Sequence, residues 1–234
     1  MKISLRTEYQ LLSLIPEAAK QLPFAASLAL NKTAQLSRAA VQQEMRVVFN
    51  NPTRWVINSL RIIPSTKTNL VAEVAFKDRA ADTSGKTMVY PHVEGGSRLH
   101  KAVERRLGAL GLLPAGWFAV PGSGARLDAA GNMSRSQIST VLAAIEGKPI
   151  ATKRRSKVAQ AAYFAARRDD PKTRHLQPGV YARTGREIKP VLLFVPRAAY
   201  RRRLDFYGII NKTVDKHLPN EWRKAMDHAL RTAK

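Results

Sequence analysis

Residues 148–157 read KPIATKRRSK; five of the ten are Lys or Arg and none is acidic. Cations at that density do one kind of chemistry: they attract phosphates or carboxylates, with a strength that falls steeply as salt rises. The same run also fits a solvated loop. A second cluster, RAAYRRRLDFYG at 197–208, sets Arg197, Arg201, Arg202 and Arg203 among Tyr200, Leu204 and Tyr207. Read as a helix, it carries an arginine face beside an apolar one. Such arginines either lay their stems over apolar surface with wet heads or dock acidic protein or DNA. ARRDDPKTR at 166–174 mixes signs and reads as a solvent-facing turn with local ion pairs.

The other residue types that do chemistry are sparse. The chain has no Cys, and its five His and its carboxylates are scattered, so neither a thiolate nor a metal site is expected, and no cofactor. GSGAR at 122–126 lacks the glycine spacing of a dinucleotide loop and the Lys-Ser/Thr of a P-loop, which leaves a flexible loop. HVEGG at 92–96 reads as a strand end followed by a tight turn. There is no HExxH, and no serine with His and Asp partners that the sequence can place near it. The expectation is a protein that is not an enzyme.

Charge is the dominant compositional fact. Forty basic residues oppose 17 acidic ones for a net +23, with a pI near 11.0. An excess of that size repels itself unless a polyanion or an acidic neighbour lies close. No recognition helix of known type, zinc finger or stacking platform accompanies it, so any nucleic-acid contact is expected to ignore sequence. The opening MKISLRTEYQLLSLIPEAAKQLPF has Glu8, Gln10 and Glu17 in or beside its apolar run and reads as neither a membrane span nor a signal peptide. A protein kept in a cytoplasm, or packed into something assembled there, is expected.

The elements that position these residues follow from periodicity. Residues 22–51 repeat apolar positions at three- and four-residue steps, from Leu22 and Ala25 to Val48 and Phe49, and predict a long amphipathic helix that stops before Pro52. A short helical piece in TRWVINSL follows. Residues 61–64 and 69–78 predict a hairpin packed on the first helix, with Leu70, Ala72, Val74 and Phe76 alternating with the other face. DTSGK at 82–86 reads as a turn and residues 98–110 as a helix. A Gly- and Pro-rich excursion follows at 111–131, anchored by Trp117 and Phe118. SRSQISTVLAAI predicts a helix capped by Asn132 or Ser134. AAYFAARR, GVYAR and IKPVLLFV predict an antiparallel meander. Tyr200–Val214 and Asn220–Thr232 read as two closing helices, Pro219 at the start of the second.

The expected class is α+β: a long N-terminal helix packed on a mixed or antiparallel β-sheet, with C-terminal helices. With 234 residues, 44% apolar, the chain fits a single domain over 1–234 with a Gly/Pro-rich and basic excursion at about 111–157. The alternative is two subdomains, one from each half.

LPFAASLALNKTAQLSRAAVQQEMRVVF near the start, VYPHVEGG in the first half, and PGVYARTGREIKPVLLFVPRAAYRRRLDFYGIINKTVDKHLPNEWRKAMDHALR at the close together resemble minor tail protein Z and related tail-completion or neck proteins of long-tailed bacteriophages. In that family a first helix with an Ala-x-x-x-Asn-(Lys/Arg)-x-Ala pattern precedes a small β-sheet, and a C-terminal helix often begins near Leu-Pro. The matching positions are Ala26, Asn31, Lys32 and Ala34, with looser spacing, and Leu218, Pro219, Glu221, Ala225, Ala229 and Leu230. The resemblance implies a non-enzymatic virion component in the tail or neck, assembled in the host cytoplasm. It implies a homo-oligomeric ring, commonly a hexamer, that completes the tail tube and meets the tube protein, the head connector and genomic DNA in the channel. A closed ring satisfies every subunit's interface and stops growth. On this reading Lys153, Arg154, Arg155 and Lys157, with Arg201, Arg202 and Arg203, contact acidic protein or DNA, and Trp117 and Phe118 anchor in a neighbouring subunit. The rival expectation is a stand-alone, sequence-independent nucleic-acid-binding protein, and a third is a hydrolase without a recognisable motif.

Overall fold

A computed structural model describes residues 1–3, 16–77, 85–148 and 162–232. In chain order the elements are β1 (Lys2–Ile3), α1 (Pro16–Val48), α2 (Arg54–Ile57), β2 (Leu60–Ile63), β3 (Ala72–Phe76), α3 (Gly85–Glu94), β4 (Gly96–Ser97) and α4 (Ala102–Ala109). There follow β5 (Phe118–Pro121), α5 (Arg135–Ile145), β6 (Ala162–Ala166), β7 (Gly179–Thr184), β8 (Glu187–Val195), β9 (Ala199–Tyr200) and α6 (Phe206–Arg231). The fold is α+β, with long helices near both ends of the chain and antiparallel sheets.

The chain divides into two compact units: residues 1–95 with 201–234, and residues 96–200. The sequence expectation is a single domain over 1–234, with a division by halves as its alternative. The second unit interrupts the first in sequence, so the first is closed by strands and helices far apart along the chain.

In the first unit, α1 and α6 pack along their length. Leu22, Ala25, Ala26 and Ala29 of α1 bury against Trp222, Ala225, Met226 and Ala229 of α6. Alanine at this seam lets the backbones approach and leaves the large partners, Trp222 and Met226, to fill the space. That burial explains two differences from the sequence expectation. Helix α1 begins at Pro16, where proline suits the first turn, and runs on through Pro23. Helix α6 runs through Pro219 as one helix rather than two. A proline inside a helix costs about 3 kcal/mol, and apolar burial on both sides offsets it here.

The three strands of this unit form an antiparallel sheet in the order β1-β3-β2. Ala72, Val74 and Phe76 alternate inward, as the period-2 pattern predicts, and join Leu30, Val41 and Met45 of α1 in the core. HVEGG departs from its expected strand end. His92, Val93 and Glu94 close α3, and Gly95 and Gly96 follow with φ of 79° and 90°, a left-handed turn that glycine enters without steric cost. Gly85 and Lys86 of the expected turn open α3, and residues 82–84 lie outside the described ones.

In the second unit, four antiparallel strands run in the order β5-β8-β7-β6, with helix α5 packed on β6. Leu107, Val141, Val180, Val191, Leu192 and Phe194 form its core. Three of the strands are the expected meander. The fourth, β5, comes from the stretch read as an irregular excursion; its four residues, ending in Pro121, are too short to show a period. Ser134 caps α5 by accepting from the Gln137 N–H at 3.2 Å. The unit enters and leaves through one short ladder, Gly96 opposite Tyr200 and Ser97 opposite Ala199.

Candidate functional site

The late arginine cluster stands outside the helix that the sequence assigned it. Arg201, Arg202 and Arg203 occupy an extended segment before α6, all exposed, because Asp205 caps the helix by accepting from Gly208 N–H at 3.2 Å. Arg203 is committed to structure. Its guanidinium donates to the Val48 carbonyl at the C-terminus of α1 (2.7 Å), where a cation also suits the helix dipole. The Arg203 and Leu204 N–H groups donate to the His92 carbonyl at 2.8 and 3.0 Å. Burial, and then the nearby Arg203 charge, hold the His92 imidazole below its usual pKa and favour its neutral form. Arg202 leans on Asp205 at 3.4 Å. Of the three, Arg201 has no ion-pair partner among the described residues. Lys153, Arg154, Arg155 and Lys157 lie outside the described residues.

The residues that carry the family resemblance do come together. Ala26 and Ala34 are fully buried, and Asn31 turns toward the loop between β2 and β3. Its Oδ1 accepts from the Ser65 N–H at 2.8 Å and its Nδ2 donates to the Ser65 carbonyl at 3.1 Å. The side-chain amide thus pairs with one residue's backbone as a strand neighbour would. Ser27 Oγ donates to the same carbonyl at 3.0 Å, and Lys32 faces solvent. On α6, Ala225 and Ala229 are buried, while Pro219 and Leu230 are exposed.

Trp117 and Phe118 are internal to the second unit. Phe118 is 6% exposed on β5, with the His100 ring stacked 4.6 Å away and the Arg98 guanidinium 5.1 Å over its face. It has no free surface to offer a neighbouring subunit, since the sheet that was missed in the sequence uses it. Trp117 is half-buried against the same core, with Arg168 over its ring at 5.9 Å.

Sequence reading also missed a buried, fully hydrogen-bonded carboxylate. Glu104, 1% exposed, takes both Arg98 Nη atoms (2.6 and 2.5 Å) and the N–H groups of Lys101 (2.6 Å) and Ala119 (2.8 Å). Burial pushes its carboxyl upward, but these donors outweigh burial and hold it below the usual glutamate range. Every lone pair is used, so the group ties α4 to β5 and is not poised to exchange protons. The signal was available in part: Lys101 and Glu104 stand three apart, the spacing at which a glutamate reaches back to a helix start.

Two grooves accompany these features. One of about 480 Å³ runs beside β6, lined by Tyr163, Phe164 and Ala165 with Ala144 and Ile145 of α5. Another, of about 260 Å³ in the first unit, includes Tyr90 and Tyr207. Hydrogen bonding with Tyr90, with burial, pushes the Tyr207 phenol up to about 12. Among the described residues no group of three or more His, Asp or Glu is placed to hold a metal. No described helix is long and apolar enough to cross a membrane. No family model, curated protein or solved structure matches the chain.

Proposed function

We propose that this chain is a structural virion protein of a long-tailed bacteriophage, forming a ring at the head-proximal end of the tail that completes the tube and joins it to the head connector. One observation carries the reading: the positions of the tail-completion pattern act as one device. Ala26 and Ala34 bury the first helix, Asn31 fastens the hairpin loop to it, and the helix carrying Ala225 and Ala229 packs back along it. Packing and docking, not bond-making, are its work. Its partners are further copies of itself, six by the habit of the family it resembles, the tube protein, the connector and the DNA that crosses the ring. Arg201 and the cations at 153–157 are the residues assigned to docking.

The deciding measurement is the mass of the purified chain at about 0.15 M and about 1 M salt, followed by its addition to phage tails lacking a terminator. A discrete ring that renders such tails competent to join heads is the expected result. A monomer at every concentration that leaves tails incompetent would sink the reading. A monomer that coats duplex DNA at low salt and releases it at high salt would favour the nucleic-acid rival.

A further inference from the structure

Residues 96–200 contain 19 Lys and Arg against six Asp and Glu, an excess of 13. The structure shows where the six carboxylates go. Glu104 is taken by Arg98, Glu146 by Arg106 and Lys148, and Glu187 by Lys189. Asp128 accepts from the Ala130 and Asn132 N–H groups of its own turn. Asp170 accepts from the Lys172 N–H and the Thr173 hydroxyl. Among the described residues Asp169 is the one carboxylate of the unit with no such partner, and six acidic residues against 19 basic ones leave most of the unit's positive charge to be balanced from outside it.

Two of those cations are held in place. Arg183, exposed on β7, lies over the Phe164 ring at 5.5 Å, and Phe164 stacks on Tyr181 at 5.8 Å. Arg168, exposed just beyond β6, lies over Trp117 at 5.9 Å. Neither has a carboxylate partner among the described residues. A guanidinium laid on a ring presents its edge N–H donors outward with little rotamer freedom left to lose, a geometry suited to phosphate. The backbone around Arg168 is fixed as well. Thr173 Oγ1 accepts from the Arg167 N–H at 3.1 Å while its own proton goes to Asp170, which stitches the turn after β6. Arg183 precedes a two-residue loop whose first residue, Gly185, has φ 60°, the left-handed entry that tight hairpins require.

Arg183 stands opposite Ala162 at the start of β6, and Arg168 lies two residues past its end. At about 3.3 Å per residue that strand spans about 17 Å, which covers about five steps of one strand of B-form DNA at ~3.4 Å each.

We infer that the β6–β7 hairpin binds the phosphate backbone of duplex DNA without regard to sequence, with Arg168 and Arg183 as its two preorganised contacts. Arginine already covers one face of Phe164 and of Trp117, which favours backbone contact over stacking of single-stranded bases. The proposed virion role supplies a setting, DNA crossing a ring, and the inference rests on it for nothing else.

The test is binding of the full chain to a mixed-sequence duplex of about 20 base pairs by fluorescence anisotropy across a salt series. Each phosphate contact contributes about 0.9 to the slope of log K against log salt. The Arg168→Gln/Arg183→Gln double variant is expected to flatten the slope by about 2 and weaken binding about tenfold or more at about 0.15 M salt. Arg223→Gln/Lys224→Gln, which removes the same charge from α6, is expected to leave the slope nearly unchanged. Arg168→Lys/Arg183→Lys is expected to restore the slope but not the full affinity. Equal losses in the two Gln variants would overturn the proposal, as would full restoration by lysine or displacement of DNA by poly-glutamate of matched charge. Ring mass, read on the same variants, separates this result from the ring reading: an intact ring whose DNA binding is unchanged in Arg168→Gln/Arg183→Gln sinks the hairpin site alone, and a chain that forms no ring but loses DNA binding in that variant sinks the ring reading alone.

Discussion

The two units solve one problem in the same way and a second in opposite ways. Each must fasten an irregular loop to a helix, and each does so with a side-chain amide: Asn31 on Ser65 in the first, and in the second Gln137, which accepts from the Arg126 N–H at 2.6 Å and donates to the Gly124 carbonyl at 2.9 Å. They differ in their charges. The first unit keeps a long apolar seam between two helices, and its ion pairs lie at the surface. The second buries an arginine–glutamate pair at 8% and 0% side-chain exposure and carries 19 basic residues against six acidic ones. Burying a charge pair is rarely the cheapest way to hold a fold together, and its best-attested use is to fix one arrangement among several. A unit with a small core and much positive charge gains from that restriction, since like charges otherwise push its elements apart.

The sharpest way to break this contrast is Glu104→Ala. It strands Arg98 in the interior and should destabilise the second unit by about 3–5 kcal/mol. Amide exchange should rise across residues 96–200 while the α1–α6 seam stays protected; uniform loss across both units would contradict the contrast. The same pair predicts acid behaviour. The folded Glu104 carboxyl lies below its unfolded pKa of 4.5. Its contribution is therefore present above about pH 4.5 and is lost as pH falls through the folded value. His92, also depressed in the folded state, begins to withdraw stability from the first unit as pH falls below its unfolded 6.5. Exchange measured by unit between pH 7 and 3 should show the first unit respond at higher pH than the second.

In the first unit, Asn31→Ala leaves the Ser65 N–H and carbonyl without their amide partner and should cost about 1–3 kcal/mol. Asn31→Asp should recover only the bond from the N–H. Urea melts that place Asn31→Ala within 0.5 kcal/mol of wild type would show that the loop is held by other means. Ser134→Ala removes the cap of α5 and should cost about 1 kcal/mol. Least of all, Lys224→Ala breaks an exposed pair with Glu221 and should shift stability by about 0–1 kcal/mol. Calorimetry on these last two variants checks both: a Lys224→Ala loss as large as that of the cap would show that this surface pair matters more than its exposure implies.

The first long helix, the β2–β3 alternation, the capped helix at 134–145 and the three-strand meander were all legible, because each rests on local period or on one capping residue. The errors fall where distant contacts overrule local rules. Pro219 reads as a helix start, and becomes an interior residue because Trp222, Ala225 and Ala229 pack on α1. Phe118 reads as an anchor for a neighbour, and is buried because β8 pairs with its strand. Arg203 reads as a docking residue, and is drawn to the Val48 carbonyl 155 positions earlier.

The sequence by itself determined the helix and strand segments, the excess of positive charge and the residues that could carry it, because composition and period are local properties. Only the tertiary structure decided which cations are neutralised internally and which are held ready for an outside partner. A carboxylate's reach is a few ångströms in space and unbounded along the chain, so Glu104 finds Ala119, Glu146 finds Arg106, and Arg168 and Arg183 are left with rings beneath them and no ion-pair partner among the described residues.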